Sequence, residues 1–93
     1  MRLEWTFPAN NDLLEILEYI WQDNPDAAVR MDAQVHEAAQ SLLSFPNKGQ
    51  VGRIPGTREL FITRRYKLIY EVDVDVVRIL TIIHTARQWP PDC

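Results

Sequence analysis

Tyr66-Lys67-Leu68-Ile69-Tyr70-Glu71-Val72-Asp73 and Val76-Val77-Arg78-Ile79-Leu80-Thr81-Ile82-Ile83-His84 decide how this chain folds. In the first stretch Tyr66, Leu68, Tyr70 and Val72 fall on one side of an extended backbone and Lys67, Ile69, Glu71 and Asp73 on the other, because side chains alternate faces along a strand. Asp73-Val74-Asp75 is a tight turn between the two stretches, and Arg64-Arg65 makes another toward Arg58–Thr63. Arg58–Thr63, Tyr66–Asp73 and Val76–His84 therefore form a three-stranded antiparallel meander. The last strand is apolar on both sides, with only Arg78 and His84 interrupting, which predicts that both faces of the sheet are covered. So short a chain has few elements left for the second face, and a bound partner would supply that cover.

Working outward, Arg2-Leu3-Glu4-Trp5-Thr6 alternates with strand period and is expected to join the meander. Pro8 suits a first helical turn, and Leu13, Ile16, Leu17 and Ile20 recur at helical spacing while Asp12, Glu15 and Glu18 face water. Asn24-Pro25 reads as an N-cap followed by proline at the first helical position. Ala28, Met31, Val35, Ala38, Leu42 and Phe45 then make one stripe that ends near Pro46. So short a connection predicts an antiparallel helical hairpin. Asn47–Gln50 and Pro55-Gly56 are turns, the second of type II with glycine at positive φ, and Arg53 lies in the loop between them. The fold class is α+β: an N-terminal strand, a helical hairpin and the meander, expected as a single domain over residues 1–93.

Ninety-three residues with 46% hydrophobic and 25% charged side chains fit a folded chain with a modest core. Cys93 is the only cysteine, so no internal disulfide forms and a reducing compartment is indicated. No leader pattern opens the sequence, and the apolar run at Ile79–Ile83 is too short to span a bilayer. A cytoplasmic location is expected. Charge is unevenly distributed. Residues 1–47 carry two arginines against eight carboxylates, net −6, while residues 48–93 are net +3. Acidic helices beside a basic sheet suit an anionic partner on the sheet, or two halves that attract each other.

Missing residue types exclude most chemistries. There is no phosphate-binding glycine loop, no nucleophile elbow and no cluster of His and Cys ligands, so neither a metal nor a cofactor is expected. His36 lies off the apolar stripe and reads as a surface residue. His84 ends the last strand near Arg87 and Trp89, as a general acid or base would, or as a histidine hydrogen-bonded at a sheet edge. Arg58, Lys67, Arg78 and Arg87 suit phosphate contacts, or pairing with Glu59, Glu71 or Asp75 across the strands. Tyr66 and Tyr70 read as core, and Trp89 either closes the core or anchors a partner.

Gly52-Arg53, Pro55-Gly56-Thr57-Arg58-Glu59, Tyr66–Val72 and Ile79–Pro90, together with Asp12-Leu13, Ile16 and Tyr19-Ile20, resemble the RelE/ParE superfamily of bacterial type II toxins. The resemblance implies a growth-inhibiting toxin, of the kind used in plasmid stabilisation, that forms a hetero-oligomer with a cognate antitoxin. RelE-like members cleave mRNA in the ribosomal A site, whereas ParE-like members poison DNA gyrase. A pI near 5.2 disfavours entry into a cavity walled by RNA phosphate. Arg58 and Lys67 match basic nuclease positions, but Leu60 occupies another and Trp89 stands near the expected tyrosine. The Pro55–Glu59 turn and the His84–Arg87 ending are more similar to the ParE branch. On that reading the chain binds gyrase without catalysis, and Arg58, Lys67, Arg78, His84, Arg87 and Trp89 form the surface expected to meet the target or the antitoxin. The alternatives are a ribosome-dependent nuclease using Arg58, Lys67, His84 and Arg87, and a non-toxic binding module.

Overall fold

A computed structural model describes residues 1–91, so Cys93 lies outside the described residues. β1 (Arg2–Trp5) leads into α1 (Phe7–Asp23) and α2 (Pro25–Ser44), followed by β2 (Gln50–Val51), β3 (Thr57–Phe61), β4 (Tyr66–Val72) and β5 (Val76–His84). The strands form one sheet in the order β1-β5-β4-β3-β2, with β1 parallel to β5 and every other pair antiparallel. The helices begin as their sequences dictate. Thr6 Oγ1 accepts the Ala9 N–H at 3.2 Å, Asn24 Oδ1 accepts the Ala27 N–H at 3.1 Å, and each helix has a proline in its first turn. Gly56 has φ +84° and Thr57 N–H donates to Ile54 O, as the Pro55-Gly56 turn requires.

Asp12, expected to face water with Glu15 and Glu18, is half buried against β5, and three further details differ from the sequence reading. Gln50 and Val51 pair with Glu59 and Arg58, which extends the sheet to five strands; two residues are too few to show a period. Phe45 is exposed, because α2 ends at Ser44 and the cap turns away; the buried stripe runs through Ala39 rather than Ala38. The third difference is in β5. Ile69 pairs with Thr81 and Tyr70 with Ile79, leaving Leu80 as an extra, bulged residue. The bulge resets the alternation, so Val77, Ile79 and Ile82 all face the helices.

The bulge is where α1 is attached. β1 stops at Trp5 beside Ile79, and beyond it the edge of β5 lacks a strand partner. Thr6 Oγ1 donates to the carbonyls of Ile79 at 2.9 Å and Leu80 at 3.0 Å, while Asp12 Oδ2 accepts from the Thr81 hydroxyl and from the Ile82 N–H at 3.3 Å. Side chains of α1 thus replace the missing strand, as buried backbone groups require. The helix then packs Ala9 and Leu13 inward, with Ala39, Leu42, Met31 and Val35 from α2, against Leu68, Tyr70, Ile79 and Ile82.

The opposite sheet face is also covered, by the chain itself. Ile69, Ile83, Glu59 and Lys67 point away from the helices yet are buried. Lys67 Nζ lies 2.8 Å from Glu59 Oε1. Arg53 ties the cover down, its N–H donating to Glu59 Oε2 at 3.2 Å and its guanidinium to Trp89 O at 2.8 Å. The loop around Arg53 and the segment after His84 therefore take the place that the sequence reading gave to a bound partner. Arg78 makes a charge ladder over three strands, 2.9 Å from Glu4 on β1 and 2.7 Å from Glu71 on β4. The hydrogen bonds it donates to Glu4 and then to Glu71 raise its pKa further above the ordinary arginine value.

Tyr70 closes the helix side. Its hydroxyl donates to Pro46 O at 2.7 Å and accepts the Gly49 N–H at 2.9 Å. A Cβ on Gly49 would meet that oxygen at 2.8 Å, so only glycine fits. Removing the hydroxyl in Tyr70→Phe leaves two buried backbone groups unpaired and is expected to cost about 1–3 kcal/mol in urea denaturation; an unchanged midpoint would show that water serves them instead. Burial alone would push the Glu59 carboxyl up, but the Lys67 hydrogen bond, the Arg53 N–H and both cations outweigh it and hold it below the ordinary value of 4.5. The contribution of the pair is therefore complete above that range and lost as pH falls through the depressed value. Glu59→Gln should cost about 3 kcal/mol at neutral pH, and its deficit should shrink toward pH 3; a deficit independent of pH would contradict the pairing.

Candidate functional site: a groove between the helical hairpin and the sheet end

His84 sits where three local devices converge. Thr85 donates through its N–H to Arg65 O at 2.7 Å and through its hydroxyl to Arg64 O at 2.8 Å, tying the β3–β4 turn to the end of β5. Arg87 N–H donates to His84 O at 3.0 Å, which folds the chain back and returns the Arg87 side chain toward the strand end. Tyr66, the register partner of His84, meets its ring edge-on with centroids 5.2 Å apart. His84 Nδ1 accepts the Ala86 N–H at 3.1 Å. In the neutral ring the proton is consequently on Nε2, which is the nitrogen left for a partner.

Arg65, Tyr66, His84 and Arg87 form one wall of a groove whose other wall is the hairpin, with Asp12, Glu15, Tyr19, Asp23 and Arg30. Its volume of about 1280 Å³ exceeds the ~300–1,000 Å³ of small-molecule pockets and suits a segment of a macromolecule. The walls are opposite in charge. Among the described residues Arg64, Arg65 and Arg87 make no ion pair, in contrast to Lys67 and Arg78. No group of three or more His, Cys, Asp or Glu that could hold a metal occurs among those residues.

The six residues singled out in the sequence are not brought into one surface. His84 and Arg87 share the groove. Arg58 faces the helices, where its guanidinium donates to Gly49 O at 2.8 Å and Asn47 O at 3.4 Å and holds the turn after α2. Lys67 is buried against Glu59, Arg78 is engaged by two carboxylates, and Trp89 is fastened through its carbonyl to Arg53. Of the four candidate nuclease residues, two therefore hold the fold together. Tyr66 is only half buried and edges the groove, although its position in the strand reads as core. Arg64 and Arg65 read as turn residues. The available signal was two adjacent cations at a turn joining the strand that pairs with the His84 strand.

The outer geometry and the order of elements match known proteins over most of the chain. Residues 3–89 match the model of the family described as ParE toxin of type II toxin-antitoxin system, parDE. Y4kP of Sinorhizobium fredii, a candidate toxin by name, is 42% identical over 90 residues, spanning 96% of this chain and 93% of that protein. Toxin RelE2 of Caulobacter vibrioides is 39% identical over 83 residues, spanning 89% of this chain and 93% of that one. Among solved structures, a chain of the chromosomal ParDE toxin–antitoxin system of P. aeruginosa superposes with a TM-score of 0.81 at 25% identity, covering 90% of this chain and 95% of the other. A YoeB/ParE toxin from Agrobacterium tumefaciens, at 18% identity and a TM-score of 0.64 over 90% of this chain and 98% of its own, shares the fold. The chain thus belongs to the ParE toxin family of type II toxin–antitoxin systems.

Proposed function

We propose that this toxin acts on DNA gyrase, binding it through the groove at Arg65, Tyr66, His84 and Arg87 and stabilising the cleaved DNA complex, with no bond made or broken by its own side chains. The observation that carries the reading is the fate of the nuclease set. Arg58 and Lys67 are occupied by the backbone turn and by Glu59, so neither is available to stabilise a scissile phosphate. What remains is an open groove with two unpaired arginines, which suits recognition of a macromolecular surface. The acidic balance of the chain points the same way, because strong attraction to ribosomal RNA needs net positive charge. A cognate antitoxin, which membership of the family implies as a partner, neutralises the toxin in a hetero-oligomer. Both molecules work in the cytoplasm, and no helix among the described residues is long and apolar enough to cross a membrane.

One observation favours a second reading. His84 presents its Nε2–H beside Tyr66 and two arginines, a set from which a hydrogen-bond donor to a leaving oxygen and phosphate contacts can be drawn, and one relative carries a RelE name. The two readings separate in a purified system. Wild-type protein added to gyrase and supercoiled DNA should accumulate cleaved DNA, and Arg87→Glu and Arg65→Glu should each lower that yield by about tenfold or more while leaving the circular dichroism spectrum unchanged. Absence of cleaved DNA, together with cutting of mRNA on translating ribosomes that His84→Gln abolishes, would overturn the gyrase reading.

A further inference from the structure

We propose that the sheet-end groove takes an α-helical segment of its protein target, acidic on one flank and basic on the other, and that Glu15 and Asp23 of α1 bar nucleic acid from it. On the reading that the groove is the working surface, on which this rests, its contacts fall on the protein of the gyrase–DNA complex and not on the DNA. The charged side chains lining the groove are Asp12, Glu15 and Asp23 against Arg30, Arg65 and Arg87, three of each sign. A slot that holds a sugar-phosphate backbone has to be net positive, because neutralised phosphates and released counterions supply most of that affinity. This one is balanced. Its charges are not spent on each other either. Among the described residues Glu15, Asp23, Arg30, Arg65 and Arg87 make no ion pair, so both walls keep charge for an occupant. Asp12 differs, since it is engaged by the Thr81 hydroxyl and the Ile82 N–H.

The order of chemistry across the groove identifies the occupant. Glu15, Tyr19 and Asp23 recur every four residues on α1 and stand in one exposed row, a rim about 12 Å long at 1.5 Å per residue. Ile16 and Ile20 make the neighbouring row. With Tyr66 they are half buried, packed against Leu13, Met31, Val35 and Ile82 on one side and lining the groove with the other. Arg65 and Arg87 stand on the opposite wall. An occupant therefore meets carboxylates, then an apolar floor, then guanidinium groups. An extended segment sends alternate side chains to opposite sides and serves only two of these strips. A helix serves all three, with apolar residues on the floor, lysine or arginine toward Glu15 and Asp23, and carboxylates toward Arg65 and Arg87. A nucleic-acid strand laid on Arg65 and Arg87 instead brings further phosphates into the slot beside Glu15 and Asp23. The carboxylates that attract the helix thus repel the strand, which is discrimination by charge.

Two kinds of probe are titrated into the full chain at low salt. One is a synthetic helical peptide with leucine along one stripe, glutamate on one flank and lysine on the other; the second is a fluorescein-labelled single-stranded RNA or DNA duplex. The bipolar peptide should bind saturably and shift the ¹⁵N resonances of Glu15–Asp23, Tyr66, His84 and Arg87. Peptides with glutamate on both flanks, or lysine on both, should bind about tenfold more weakly. Both nucleic acids should bind the wild type weakly. Glu15→Gln combined with Asp23→Asn should tighten them by about tenfold or more, a gain that fades as salt is added, while weakening the bipolar peptide. Both positions are exposed, so this variant should keep the wild-type circular dichroism spectrum. Equal affinity of the three peptides, shifts away from the groove, or nucleic-acid binding that the double substitution leaves unchanged would overturn the proposal. Neither titration contains gyrase. A chain that meets these expectations yet traps no cleaved DNA would sink the choice of gyrase alone, and one that traps cleaved DNA yet fails them would sink only the bipolar helix.

Discussion

The free edge of β5 beyond Ile79 is the constraint on which the rest of the structure depends. β1 is four residues long and cannot follow β5 to its end, so the backbone around the Leu80 bulge needs other partners. Thr6 and Asp12 supply them, and Thr6 also caps the helix it begins. One residue therefore fixes both where α1 starts and where it sits on the sheet. The position of α1 sets that of α2 through the hairpin, and the two together define the far wall of the groove. Asp12 belongs to both structures, since it holds β5 and lines the groove.

On the other side of the sheet, charge works as internal cement. Lys67 with Glu59 is a buried pair whose breaking costs more than its presence gains, because an unpartnered buried charge would remain, whereas Arg78 with its two carboxylates is partly exposed and worth less. Their consequence for function is subtraction. Five of the eight basic side chains in residues 48–93, namely Lys48, Arg53, Arg58, Lys67 and Arg78, make hydrogen bonds or ion pairs within the fold. Arg64, Arg65 and Arg87 remain, at one end of the sheet. A toxin with net charge −3 thus concentrates its unpaired cations where His84 and Tyr66 also lie.

Much of the architecture was legible in the sequence because it rests on local physics. The cap at Asn24, the prolines of the first turns, the positive φ of Gly56 and the Val76–His84 strand follow from residue preferences within a few positions, whereas Thr6, which continues the alternation of β1, caps α1 instead. What was not legible is set by register. The bulge at Leu80 leaves no mark in a strand that is apolar on both sides, and Gln50-Val51 is too short to carry a period. Arg78 is held from both sides only because Glu4, seventy-four residues away, arrives opposite it through the parallel pairing of β1 and adds to Glu71. Cross-strand pairing was one of the two roles open to these cations from sequence, and the structure assigns it to Lys67 and Arg78. His84 and Arg87 were found together because three residues separate them, whereas Arg65 joins them only through the β3–β4 turn.

The account makes the sheet-end groove, and not the charged sheet face, the surface that meets the target. Hydroxyl-radical footprinting of the toxin bound to gyrase and DNA tests this directly, since tyrosine, histidine and tryptophan side chains all report. Protection of Tyr66, His84 and Tyr19, with Trp21 and Phe7 as reactive as in the free chain, is the result the account predicts. Unchanged reactivity at Tyr66 and His84 in a complex that traps cleaved DNA would contradict it.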